Sequence, residues 1–257
     1  YFSGYGFNKS HAVSYSIISY QCAWLCNYFP AEWTAAFLER EPETRKEKAI
    51  NLAKQHGFRI KDVDVNTSGM YWEIMDKNTL VAPLTTIKGL GEKAIEQILA
   101  NRPFKTVEEF IFNEDIIYSK LNKKAFDVLC RAGALRHLID DRFTGDKHFW
   151  SAVCVDRPRK PKNLVENIET YAPEGSFTEE EKITFTTDLT GIFPVSKVVT
   201  LEVQKRIDEF VAPPISEYDY DLGYCWCIPR KVTLKKSKNG RNFYVVEVID
   251  SNSVVTK

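Results

Sequence analysis

Several stretches of this 257-residue sequence carry side chains at spacings that suit phosphate chemistry. Near the start, Tyr5-Gly6-Phe7-Asn8-Lys9-Ser10-His11 sets a cation, an imidazole and two hydrogen-bonding side chains ahead of an aromatic-rich run. Ser10 suits a helix N-cap, leaving Lys9 and His11 as solvent-facing neighbours; the same loop could instead face a ligand. In Ile87-Lys88-Gly89-Leu90-Gly91-Glu92-Lys93-Ala94, two glycines flank one apolar residue before an amphipathic run. That is the pattern of a helix-hairpin-helix DNA-binding element. Its glycines let backbone N–H groups at a helix N-terminus approach a phosphate oxygen without reading bases. Lys88 and Lys93 would add charge. The alternative is a packing corner whose glycines merely allow close approach. Leu121-Asn122-Lys123-Lys124 opens a second segment, running to Leu135, that would pair with the first.

The C-terminal stretch is more basic. Residues 228–257 hold seven Lys/Arg against two acids, with Lys235, Lys236, Lys238 and Arg241 near Tyr224, Trp226, Phe243 and Tyr244. Cations interleaved with aromatics on a sheet suit single-stranded nucleic acid through stacking and backbone attraction; a solvated hairpin with core aromatics is the alternative. Residues 86–138 hold nine Lys/Arg against seven acids, a surplus that fits a supporting grip on duplex rather than tight autonomous binding. Asp62 and Asp64 form a close carboxylate pair in "DVDVN", and on a strand they would share one face, as a two-metal site wants. A solvated strand face is the ordinary alternative. No nucleophile–base–orienter trio and no P-loop stands out. Of the six cysteines, Cys22 and Cys26 lie one helical turn apart and Cys225 and Cys227 alternate, neither with zinc spacing, so reduced thiols and a cytosolic setting are expected.

These residues need elements to hold them. The apolar pattern predicts a core helix from Ser10 to about Tyr28, then helices over Ala31–Arg40, with Pro30 in the first turn, and Glu43–His56, ending at Gly57. Period-two alternation in "FRIKDVDVN" and "MYWEIMD", separated by "TSG", predicts two short strands. Helices are expected at Glu92–Ala100, Thr106–Phe112 and Lys120–Ala132. Residues 139–175 read as linker, with "DRPRKPKN" carrying two prolines among charges, and a helix begins where Thr178 and Glu181 form a capping-box pattern. Residues 208–219 read as a second linker. Two strands around the Asn239-Gly240 turn close the sequence.

An apolar share of 44%, with 16 Phe, 12 Tyr and 5 Trp, suffices for real cores. Net charge is zero, which excludes a polyelectrolyte binder, and no stretch approaches 18 apolar residues, so no membrane partner is expected. Tyr1 is not an initiator Met and no signal peptide follows, which suggests a piece of a longer polypeptide.

In order along the chain, "YGFNKSHAVSYSIISYQCAWLCNYFPAEWTAAFLE", "DVNTSGMYWEI", "IKGLGEKAIEQIL", "FKTVEEF" and "LNKKAFDVLCRAGAL" resemble the bacterial replicative DNA polymerase III alpha subunits, the C-family polymerases. "FTEEEKITFTTDLTGIFP" looks like that family's connector, and "YCWCIPRKV" with "SKNGRNFYVVEVID" like the opening strands of its OB-fold domain. The likeness is strong over 4–40 and 79–135 and weaker over 139–176. "DLTGIFPVSKVV" departs from the family's "GfYlSgHPL"-like segment, as a phage or otherwise divergent source would.

The resemblance implies a mainly α fold with small β elements. Residues 1–78 would be the end of the fingers with a small β-hairpin, 79–138 a tandem helix-hairpin-helix, 139–222 a connector, and 223–257 the first strands of an incomplete OB-fold. It implies a DNA-contacting part of a DNA-directed DNA polymerase, in a bacterial or phage-infected cytoplasm, with the remaining polymerase domains as partners. The family's catalytic aspartates and their Mg²⁺ ions would lie earlier in the polypeptide, so no catalytic residue or cofactor site is expected here. Asn8, Lys9, Ser10 and His11 would face incoming dNTP or primer–template, with Lys9 toward phosphate. Lys88, Gly89, Leu90, Gly91, Lys93, Asn122, Lys123 and Lys124 would hold duplex backbone. Lys235, Lys236, Lys238, Arg241 and Tyr244 could touch single strands. A non-enzymatic DNA-binding or repair-scaffold module of helix-hairpin-helix and OB type is the alternative, but it leaves "YGFNKSHAVSYSIISYQ" without a role. A protein-interaction fragment with no nucleic-acid role is a third.

Overall fold

The computed structural model describes residues 9–191, 193–251 and 255–256, and within them the chain is mainly α with two small sheets. Helix α1 (Lys9–Tyr28) passes through Phe29 into α2 (Pro30–Arg40), and α3 (Lys46–Gln55) follows a 3-10 turn. Pro30 suits the first position of α2 because its missing N–H would have had no helical acceptor there. Ala31, Ala35 and Leu38 recur at helical spacing on α2, as do Ala49, Ile50 and Ala53 on α3. With Phe58, Trp72 and Leu80 they close a first, small core.

Strands β1 (Arg59–Lys61), β2 (Glu73–Asp76) and β3 (Thr79–Val81) lie in the order β1-β3-β2. β1 runs parallel to β3 and β2 antiparallel to it. The two strands expected from alternation are therefore not neighbours. The three-residue β3 separates them, and its central Leu80 is fully buried. β1 also ends at Lys61, so Asp62 and Asp64 sit in the following loop and not on a strand face.

The larger core gathers Val63 and Val65 with α4 (Glu92–Asn101), α5 (Val107–Ile111) and α6 (Lys123–Arg131). Phe104, Phe110 and Phe126 stack through its centre, with ring centroids 4.9 and 5.0 Å apart. Helix α7 (Asp146–Trp150) continues into a π-helix over Ser151–Val155, and α8 (Pro161–Tyr171) and α9 (Glu179–Thr190) follow. Phe149, Ala152, Val153, Cys154 and Leu164 are buried in the same core. The reading of 139–175 as linker is thus corrected. Its charges and prolines are surface features of a segment whose intervening apolar residues pack against α6. On α9 the capping box forms in full: Thr178 accepts from the Glu181 N–H at 3.2 Å, and Glu181 accepts from the Thr178 N–H at 2.8 Å.

Short α10 (Val195–Val198) and α11 (Leu201–Phe210) lead to the second sheet, β4 (Ile228–Lys236), β5 (Asn242–Ile249) and β6 (Val255–Thr256), antiparallel in that order. Between them, Pro213 and Ile215 exchange backbone hydrogen bonds with Trp226 at 3.0 Å.

Helix α1 corrects another expectation. It buries no residue: Val13, Ile17, Ile18, Tyr20, Trp24 and Leu25 are all exposed. Apolar positions all round a helix indicate that burial is needed, but not where the covering surface comes from. Ser10 lies inside the helix, so it is not the N-cap.

Candidate nucleic-acid interface

The glycine turn is built from two unlike glycines. Gly89 has φ of +88°, a left-handed conformation that strongly favours glycine. A Cβ there would approach the Lys124 Cε at 3.3 Å, so the turn touches the start of α6. Gly91 is the N-cap of α4, with φ of −78° and ψ of 150°, which any residue can adopt. A Cβ there would meet nothing within 4 Å. Internal packing therefore does not require glycine at 91. Gly91 has no side chain to cap the helix, and the first amides of α4 have no intrahelical acceptor. Gly91, Glu92 and Lys93 are exposed, whereas Leu90 is buried and anchors the turn from below.

The second hairpin lies alongside. Asn122 caps α6, its Oδ1 accepting from the Ala125 N–H at 3.1 Å, and Lys123 and Lys124 are exposed on its first turn. Lys88, also exposed, donates its backbone N–H to the Leu189 carbonyl at the end of α9 at 2.7 Å. The structure thus brings Lys88, Gly89, Gly91, Lys93, Lys123 and Lys124 to neighbouring helix starts, one hairpin packed on the other.

The segment after β1, expected to continue as a strand, instead forms a clip. Asp64 Oδ1 accepts from the N–H groups of Asn66 and Thr67 at 2.8 and 3.2 Å, folding the chain back. Asn66 then pairs with both backbone groups of Phe104: its Oδ1 accepts the N–H at 2.8 Å and its Nδ2 donates to the carbonyl at 2.7 Å. His137 Nδ1 lies 2.8 Å from Asp64 Oδ2. Asp62 instead pairs with Arg136, 3.6 Å away at the surface. The two carboxylates serve different partners, so they do not form a donor set for a two-metal centre. Asx-turn chemistry in "DVNTS" is the signal that could have revealed this clip.

The other expected sites stand apart. Lys9, Ser10 and His11 occupy the exposed first turn of α1, where the His11 ring stacks on Tyr15 with centroids 4.2 Å apart; Asn8 lies outside the described residues. On the terminal hairpin, Lys235, Lys236, Lys238, Arg241 and Tyr244 are all exposed. Lys236, Leu234, Tyr244, Val232 and Val246 share one face by register, and Lys235 and Phe243 the other. The cations therefore divide between the faces. All six cysteines are free thiols; Cys130 is pushed well above its ordinary pKa by its hydrogen bond with Cys154 and by burial. Among the described residues no helix is long and apolar enough to cross a membrane.

Comparison with known proteins bears on this region. A helix-hairpin-helix motif model matches residues 57–144, spanning the clip and both hairpins. The chain is 38% identical over 143 residues to the DNA polymerase III subunit alpha of Pseudomonas fluorescens, covering 53% of this chain and 12% of that protein. It is 36% identical over 140 residues to that of Thermus aquaticus, covering 52% and 11%, and 38% identical over 145 residues to that of Vibrio cholerae, covering 53% and 12%. The chain spans about an eighth of the length of these relatives.

Proposed function

We propose that the chain is the DNA-contacting C-terminal part of a bacterial replicative DNA polymerase alpha subunit, holding primer–template while nucleotidyl transfer is carried out by residues outside this sequence. The observation that carries the reading is Gly91: a helix N-cap with open space in front of it, inside a helix-hairpin-helix match, in a chain similar to polymerase subunits. Amides at that helix start would bind a phosphate oxygen, with Lys88, Lys93, Lys123 and Lys124 adding charge. Such contacts fix the register of a duplex without reading its sequence, which suits an enzyme that must copy any template.

On this reading Lys9, with Asn8, Ser10 and His11, faces the incoming dNTP or the primer–template, and the terminal hairpin offers Lys235, Lys236, Lys238, Arg241 and Tyr244 to single-stranded template as the opening of an OB-fold. The exposed face of α1 packs on the remaining polymerase domains, in the bacterial cytoplasm. The complete enzyme would use Mg²⁺ for transfer, and the carboxylates here do not fit that centre.

Titration of the chain with a primer–template duplex over a range of salt tests the reading. Binding that weakens steeply with salt, without Mg²⁺-dependent primer extension, is expected. Salt-insensitive binding, or robust extension by this chain alone, would overturn it.

A further inference from the structure

The loop over residues 156–160 is charged, yet it is firmly built. Pro158 is buried. The Arg157 guanidinium lies 4.0 Å from the Tyr118 ring centroid and 4.4 Å from that of Phe126. Behind it, Asn167 Nδ2 donates to the Asp156 and Ala152 carbonyls at 2.5 and 2.9 Å. Burial lowers the pKa of Arg157, and the nearby positive charge of Arg159 pushes it the same way.

This anchoring places the loop beside the second hairpin. Tyr118 precedes that hairpin and Phe126 lies on α6. Lys123, three residues before Phe126, shares that side of the helix. Lys124, about 100° further round the helix, reaches toward Gly89. The amino end of α6 is therefore flanked by the glycine turn on one side and by the Arg157 loop on the other. Arg159 and Lys160 are exposed and hold no ion pair among the described residues. Lys162 keeps only a loose contact with Glu166, at 3.7 Å. Asp156 and Glu166 are the acids that border the loop in sequence.

We propose that Arg159 and Lys160 form a second backbone grip, binding duplex phosphates that flank those held by the glycine turn, with Arg157 as the strut that fixes the loop. This rests on the function proposed above and enlarges its footprint from the hairpins to the connector. Duplex DNA is favoured over an acidic protein because the loop flanks the amino end of α6, whose exposed Lys123 and Lys124 lie within the helix-hairpin-helix match.

The test compares the chain with two double variants, Arg159→Ala with Lys160→Ala, and Lys88→Ala with Lys93→Ala. Duplex affinity is followed by fluorescence anisotropy at several salt concentrations, thermal melting confirms folding, and polyglutamate serves as a competing acidic polymer. For the loop variant, affinity at low salt should drop severalfold or more, and the slope of log K against log salt should shrink by about 2, close to 0.9 per lost phosphate contact. An unchanged slope there, with a reduced slope for the hairpin variant, would overturn the loop proposal and leave the proposed function standing. So would a loop variant that loses polyglutamate binding but keeps its grip on DNA. No change in either variant would overturn both.

Discussion

Glu47 and Arg230 stand 183 positions apart and meet in a 2.9 Å ion pair, each side chain only 14% exposed. The other Glu47 oxygen accepts the Phe193 N–H at 2.7 Å, and the Arg230 guanidinium lies 5.4 Å from the Phe193 ring. One carboxylate thus ties α3, the connector and β4 together. Truncating one partner strands the other charge away from water, so Glu47→Ala should lower stability by about 3 kcal/mol in denaturant unfolding. Glu47→Leu combined with Arg230→Met should recover much of that loss. A single variant within about 0.5 kcal/mol of the parent would show that the pair holds nothing.

Gly91→Asp separates folding from binding. Aspartate is a better N-cap than glycine and adopts the same backbone angles, so thermal stability should hold or rise slightly. Its carboxylate would occupy the amides of α4 and repel phosphate, lowering duplex affinity about tenfold or more. Undiminished affinity would remove these amides from the interface.

Asn66→Ala leaves the Phe104 N–H without its side-chain partner and the Phe104 carbonyl with only His137 Nε2, 3.3 Å away. A cost of about 2 kcal/mol is expected, with faster amide exchange at Phe104. Protection at Phe104 equal to that of the parent chain would show the clip to be dispensable.

Much of this architecture was legible where the signal is local. Thr178 and Glu181 specify a cap within four residues, and Asn239-Gly240 specifies a turn between two alternating runs. Gly89 could be read as a turn because only backbone conformation was at stake. Tertiary features were hidden. β3 is too short to show a period, and it forms because Leu80 fills the space beneath α2 and α3. The 139–175 segment looked like linker because its buried residues are interspersed with charges and prolines that happen to face out. The Arg157 loop was visible as charge, but its stacking on Tyr118 and Phe126 depends on residues more than thirty positions away.

Arg142 supplies the pH dependence. It bridges Glu108, at 2.7 and 3.2 Å, and Asp140, at 2.7 to 3.2 Å. Its hydrogen bonds hold both carboxyls below their ordinary values of 4.5 and 3.8. A depressed native pKa means that the unfolded chain takes up protons first, so this stabilisation is present above the ordinary values and is lost as pH falls through the native ones. The bridge is partly solvated, so the contribution is at most about 1 kcal/mol. Urea midpoints should fall more steeply below about pH 5 in the parent chain than in Arg142→Ala. Parallel pH profiles would rule the bridge out as the cause.

On the proposed function, Lys9→Ala in the complete polymerase should raise the nucleotide KM or lower kcat, with kcat/KM reduced about tenfold and folding intact, since Lys9 sits on an exposed helical turn. An unchanged kcat/KM would free Lys9 from any role toward phosphate.

The Lys88 N–H and the Leu189 carbonyl join the glycine turn to the last turn of α9. Carbonyls at a helix C-terminus lack donors of their own, so this one peptide group finishes one helix just before another begins. The glycine turn and the end of α9 are thereby pinned to one another, so a displacement of α9 would carry the turn with it.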